Sequence, residues 1–222
     1  MSHTADMRPV LDFLGQLGQH NDKAWFDAHR AGYEQAKANF EAFVERLIAD
    51  LGKIEDLKGV TARDCVMRIY RDVRFSKDKS PYKTNMGASI APGGKKSSRL
   101  GYYIHVAPHG ETMVAGGLHM PETAALARFR AAIDRDARPF KKVIGSPQFK
   151  RAFGELGGDR LKTTPQGYDR DHPEIELLRL KEVAVFHSVP DDVVLSARFP
   201  RHMFEACQAL KPFLDYLNGV LQ

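Results

Sequence analysis

The stretch MRIYRDVRFSKDKSPYKTNMG, residues 67–87, sets Arg68, Arg71, Arg74, Lys77, Lys79 and Lys83 against only Asp72 and Asp78, with Tyr70 and Tyr82 among them. Guanidinium and ammonium groups interleaved with phenols suit the capture of an anion. An arginine presents a planar fork that matches carboxylate or phosphate oxygens in pairs. Each hydrogen bond to a charged group contributes about 1.5–3 kcal/mol, so two or three offset the repulsion among clustered cations only when an anion is present.

The spacing divides these residues. As a strand, DCVMRIYRDVRF (64–75) turns Cys65, Met67, Ile69, Val73 and Phe75 to one side with Arg71 among them. Asp64, Arg68, Tyr70, Asp72 and Arg74 then face the other side. Arg71 intrudes on the apolar side and needs a partner, and an acid on the long N-terminal helix is the expected one. Arg68, Tyr70 and Arg74 form the ligand-facing set. The loop that follows adds Lys77, Tyr82 and Lys83, which could close over the anion. Tyr103 and His105 share one face of GYYIHV, His119 ends the next strand and His187 lies on the last. If these strands are neighbours they complete a floor of Tyr, His and Arg, with Tyr103 as a further binding residue and His105 as the candidate for proton transfer. A single bulge in this strand would exchange the two faces.

Other motifs are weaker. PGGKKSSR (92–99) repeats the recipe of basic and small residues, but Gly94-Lys95 is followed by Lys96, so it is no phosphate-binding Walker loop. It is read as a flexible hairpin. Asp169, Asp171 and His172 in GYDRDHPE offer acid–base or metal-ligand chemistry, with helix capping ahead of Pro173 the preferred role. No zinc constellation assembles, GASIA (87–91) misses the nucleophile-elbow pattern at its last position, and no cofactor is identified. Cys65 and Cys207 lie in apolar contexts and are too few for a disulfide framework, which favours a reducing cytoplasm.

The elements that must position these groups follow from periodicity. PVLDFLGQLGQ reads as a brief helix ending near Gly18, and Asn21 and Asp22 as caps of a long helix running to about residue 51. Trp25, Phe26, Tyr33, Ala36, Phe40, Val44 and Leu47 recur there at helical spacing and read as core. Beyond 64–75, strands are expected at MGASIAP, GYYIHVAP, ETMVAGGLHM and EVAVFHSV, with short connections favouring antiparallel pairs. Helices are expected at 121–136, at about 138–153 and near 173–179, then over 198–221, where Pro212 should kink or split the helix. Helices at both ends of a strand-rich centre predict one α+β domain over residues 1–222, with residues 1–8 a flexible tail. The sheet should be mainly antiparallel, with helices packed largely on one face.

Composition narrows the function classes. The 222 residues are 43% hydrophobic and 27% charged, ordinary values for a globular chain. No apolar run approaches the roughly 18 residues needed to span a bilayer, and MSHTADMRPV has no apolar signal core. The charge is local. Residues 61–100 hold ten Lys and Arg and three acids, a net of +7 within a chain of net +5, so the remainder nets −2. A local excess suits an anionic ligand better than a generally adhesive surface.

The run RIYRDVRFSKDKSPYKTNMGASIAPGGKKS resembles the signature of a widespread bacterial and fungal family of conserved hypothetical proteins, classed as a domain of unknown function. NDKAWFDAHRAGYEQAK, GYYIHV, PQGYDRDHPEIELLRLK and LKPFLDYLN resemble its other blocks in order, so the similarity covers about residues 9–221. The resemblance implies one domain. It places Arg68, Arg71, Asp72, Arg74, Ser76, Lys77, Lys79, Tyr82 and Lys83 in one shared motif, and it brings no established activity. The functional expectation is a basic Arg/Lys/Tyr pocket for a small phosphorylated or carboxylated ligand, with or without catalysis. One alternative is a nucleic-acid-binding module using loops 76–99, with Tyr70, Tyr82, Tyr102 and Tyr103 as stacking surfaces. Another is an interaction protein that docks an acidic partner. The pocket requires Arg68, Arg74 and His105 to converge on one concavity.

Overall fold

Apolar residues at helical spacing make residues 8–51 a helical layer. In the computed structural model, which describes residues 6–222, α1 spans Arg8–Gln19 and buries Val10, Leu11, Phe13, Leu14 and Leu17. Of the tail expected over 1–8, residues 1–5 lie outside the described residues, Asp6 is exposed, and Arg8 already belongs to α1. Met7 is buried, and its carbonyl accepts from the Val10 and Leu11 N–H groups, both at 3.1 Å, so its apolar side chain anchors the helix entry.

The long helix expected to follow is in fact two. Asp22 accepts from the Trp25 N–H at 2.9 Å and caps α2, Lys23–Ala28. His29, at φ −109° and ψ 20°, leaves the helical basin before α3, Arg30–Leu51. Its ring stacks on Trp25 at a centroid separation of 4.0 Å, and its Nδ1 reaches the Trp25 carbonyl at 2.8 Å. That local bond competes with the regular ladder. The bend lets Phe26 and Tyr33 both meet Phe13, at 6.0 and 5.8 Å between centroids.

The strand expected over 64–75 does not form. Its first residues belong to the short helix α4, Ala62–Cys65, which opens with a Thr61–Asp64 capping box. Residues 66–71 then run antiparallel to 82–88 but pair backbone to backbone only at the bridges Val66–Ala88 and Tyr70–Tyr82. Four residue steps separate these bridges on one side and six on the other, so a bulge breaks the ladder and the two-face alternation with it.

The regular sheet contains β1 (Met86–Ile90), β2 (Tyr102–Val106), β3 (Thr112–Leu118) and, after intervening helices, β4 (Val183–Val189). The strands lie in the order β1-β2-β3-β4, every pair antiparallel. Between β3 and β4 come α5 (Thr123–Asp136), α6 (Arg138–Ile144), α7 (Pro147–Phe153) and α8 (Ile175–Leu178). After β4 the chain forms α9 (Asp191–Val194) and α10 (Phe199–Leu221). The protein is α+β. Tyr102, Ile104, Val106, Val114, Leu118, Val183, Val185 and Val189 are buried on the helix-covered face. The opposite face is half-open, and Phe186 on it is 63% exposed.

α10 is one helix. It runs through Pro212, so of the kink or split expected there the split does not occur. A proline inside a helix costs about 3 kcal/mol. Leu210, Phe213, Leu214 and Leu217, all buried around that position, hold both halves of the helix in the core.

Candidate functional site: a cationic groove

Tyr33, Lys37, Glu41 and Glu45 sit at four-residue intervals on α3. At 1.5 Å per residue they form one stripe about 18 Å long. Facing it are α4, the 66–71 ribbon and the cations Lys83 and Lys95. Two adjoining recesses of about 590 and 600 Å³ lie along the stripe and share Lys37, Glu41 and Arg63, so they make one groove. Tyr33, Val66 and Met67 give the first recess an apolar wall, and Arg68, Lys83 and Lys95 give it charge. Glu45, Thr61 and Ala62 line the second.

Local bonds fix the walls. The Glu45 carboxylate accepts from the Ala62 N–H at 2.8 Å and ties the start of α4 to α3. At the other end of α4, Lys95 Nζ donates to the carbonyls of Arg63 and Val66, both at 2.8 Å. The reach of Lys95 depends on Gly94, whose φ of +70° is left-handed and whose position leaves no room for a Cβ beside Asp64. Residues 92–99 are therefore not the flexible hairpin expected. They turn through a 3₁₀ segment, Gly94–Lys96, seated against α4. Lys83 Nζ in turn donates to the Arg68 carbonyl at 3.1 Å.

The groove is electrically unbalanced. Lys37, Arg63, Arg68, Lys83 and Lys95 line the first recess against Glu41 alone. Lys37 reaches Glu41 at 3.7 Å. Among the described residues, neither Arg63 nor Arg68 has a carboxylate within 4.0 Å. Burial, reinforced by the nearby Arg68 charge, holds the Lys83 ammonium below its ordinary pKa. An anion in the recess would reverse the second of these effects.

Several expected site residues are employed elsewhere. Arg74 forks onto Asp72, two residues away, with bonds of 2.9 and 2.6 Å, and is 76% exposed. Arg71 makes the structural ion pair anticipated for it, but with Asp78 of the same loop rather than an acid of the N-terminal helices. Asp78 is held in place by the Ser80 N–H and hydroxyl at 2.9 and 2.6 Å, within reach of a side chain leaving the broken ribbon. Phe75, expected on the core side, is 96% exposed because the ladder ends before reaching it. Lys77 is exposed on the same loop and lines neither recess. Tyr82 is buried and stacks on Phe26 at 4.0 Å. Tyr70 sits at the edge of that aromatic cluster, 5.3 Å from Tyr82. Tyr102 is buried and donates to Glu55 at 2.7 Å, so neither Tyr82 nor Tyr102 is available as a stacking surface.

Tyr103 and His105 do share a face, with ring centroids 6.2 Å apart, on the half-open side of β2. Burial raises the Tyr103 pKa and lowers that of His105. Strand β1 lies between His105 and the ribbon. His187 faces the covered side instead, its Nε2 2.9 Å from that of His202, and His119 pairs with Glu182 at 2.8 Å. Arg68, Arg74 and His105 therefore do not converge. Of the expected ligand-binding set, only Arg68 and Lys83 line the groove. His172 accepts from the Glu174 N–H at 3.0 Å and contacts Asp134 at 3.1 Å, but α8 starts at Ile175 with no side-chain cap, so the capping role expected of Asp171 or His172 is not seen.

The sequence reading missed Tyr33, Lys37, Arg63 and Lys95. The four-residue recurrence of polar groups at 37, 41 and 45 beside an apolar stripe was the available signal on α3. Nothing local marks Arg63 or Lys95, which the fold brings together across thirty-two positions.

No helix of the described residues is long and apolar enough to cross a membrane. No curated protein and no solved structure matches the chain. Residues 9–216 match the family model described as conserved hypothetical protein (DUF2461), and the chain belongs to that family.

Proposed function

We propose that the protein binds a small phosphorylated or carboxylated anion in the groove between α3, α4 and the 66–71 ribbon. The observation that carries this reading is the pair of unpartnered guanidinium groups, Arg63 and Arg68, on the recess that also holds Lys83 and Lys95. The two lysines are anchored to backbone carbonyls, which hold their charge in place without neutralising it. Forked donors beside fixed ammonium groups match the several acceptor oxygens of phosphate or carboxylate. The role assigned is capture. His105 takes no part in it, since it lines the sheet face rather than the groove. Two free, buried cysteines support a cytoplasmic setting.

The test is thermal unfolding with orthophosphate, pyrophosphate and citrate at matched ionic strength. A ligand at one hundred times its Kd stabilises by about 2.7 kcal/mol. For a chain of this size that is a rise in Tm of about 5–10 °C. The rise should saturate and should shrink in Arg68→Ala. If no anion exceeds chloride at equal ionic strength, the reading fails.

A further inference from the structure

The two recesses are unlike in charge, and that difference bears on what the anion is attached to. The first is cationic. The second keeps Lys37 and Arg63 but balances them with Glu41 and Glu45, and adds the Thr61 hydroxyl. One oxygen of Glu45 is committed to the Ala62 N–H, and Glu41 is engaged only by Lys37 at 3.7 Å. Each carboxylate therefore retains acceptor capacity toward the groove.

Resting on the anion-binding reading, we infer that the ligand is a phosphate ester of a hydroxyl-rich body, a sugar phosphate unit lying along the groove. Its phosphate sits among Arg63, Arg68 and Lys83, and its hydroxyls donate to Glu41 and Glu45. A bare inorganic ion leaves the second recess empty. A polyphosphate or long polycarboxylate extended along the α3 stripe brings like charge against both glutamates. Hydroxyl groups meet the same carboxylates as donors, as ribose hydroxyls meet acidic side chains in nucleotide sites. The first recess alone, at about 590 Å³, has the size of a site for a whole organic ligand. A free sugar phosphate and a nucleotide present the same ester and hydroxyls, and the titration below separates them.

Calorimetric titration of the full chain with orthophosphate, pyrophosphate, ribose 5-phosphate and AMP tests this. At least one of the two esters should bind about tenfold or more tightly than either inorganic ion, the margin of one hydrogen bond to a charged group. Preference for ribose 5-phosphate identifies a free sugar phosphate, and preference for AMP a nucleotide. Glu41→Gln and Glu45→Gln should reduce the margin while leaving orthophosphate binding at least as strong. Glutamine keeps an acceptor for the Ala62 N–H, and melting curves check that each variant folds. Equal binding of esters and inorganic ions, or a margin intact in both variants, overturns the inference and leaves anion capture standing. Binding by none of the four overturns both.

Discussion

Substituting alanine for each of two adjacent glycines tests whether the 3₁₀ turn is seated against α4. Gly93 and Gly94 have φ of +87° and +70°, both left-handed. That conformation costs a residue with a side chain about 1–2 kcal/mol. At Gly93 a Cβ meets nothing within 4 Å. At Gly94 it would lie 2.5 Å from the Asp64 carbonyl oxygen and 2.9 Å from the carbonyl carbon. These are backbone atoms and cannot swing aside, so α4 or the turn must move. Forcing extra volume into a packed site costs about 1–3 kcal/mol, and a stiffer unfolded chain returns about 0.4–1 kcal/mol. Gly94→Ala should therefore cost about 2–4 kcal/mol and Gly93→Ala about 1 kcal/mol. At about 2–4 °C per kcal/mol, the falls in Tm are about 4–16 °C and about 2–4 °C, read by circular dichroism or calorimetry. Because Lys95 sits on this turn, Gly94→Ala should also weaken anion binding more than Gly93→Ala. Equal melting of the two variants would mean that the turn does not abut α4 and that Lys95 is no clamp.

Tyr102→Phe removes a buried donor to Glu55, which still accepts from Lys211 at 3.0 Å, and should cost about 1.5–3 kcal/mol in urea denaturation; a loss below about 0.5 kcal/mol would remove this bond from the stability of the core. Burial holds His105 and His202 below the ordinary histidine pKa, and His187 and Arg198 push His202 further down against the pull of Glu205. The unfolded chain therefore takes up protons that the folded one resists. Stability should be full above about pH 6.5 and fall as pH drops through the window below it. His202→Gln should flatten that fall in melting curves, and an unchanged profile would contradict the assignment. Burial raises the Cys65 thiol to about 11 and pushes Cys207 higher still, so native protein should resist a thiol reagent at pH 8 while urea-unfolded protein reacts at both; rapid native labelling would contradict the packing. Asp78→Ala frees Arg71, so trypsin should cut at Lys77 or Lys79 faster than in the parent while Tm stays within about 2 °C. Equal cutting rates would show that the pair does not order the loop.

Local periodicity and composition carry the part of the fold that is legible along the chain. Alternation in Tyr102–Val106 assigned Tyr103 and His105 to one face correctly, because a half-buried strand repeats every two residues and its register carries the burial with it. The four strands of the sheet, the C-terminal apolar helix and the local excess of positive charge were readable for the same reason. The same alternation misled at 64–75, where a capped turn of helix and a bulge interrupt a pattern that a linear reading carries through. The break at His29 was hidden too, since one ring bonding its own helix leaves no mark in the spacing of Phe26 and Tyr33.

The tertiary structure alone decided which cations are spent and which are free. Arg74 looks equivalent to Arg68 in the sequence, yet Asp72, two residues away, neutralises it and leaves Arg68 open. Lys95 becomes a neighbour of Arg63 only because a glycine turn lets residues thirty-two apart come together. Periodicity reports how a segment presents its own faces. A groove is made of faces from different segments, so its membership depends on distances through space that no local pattern encodes.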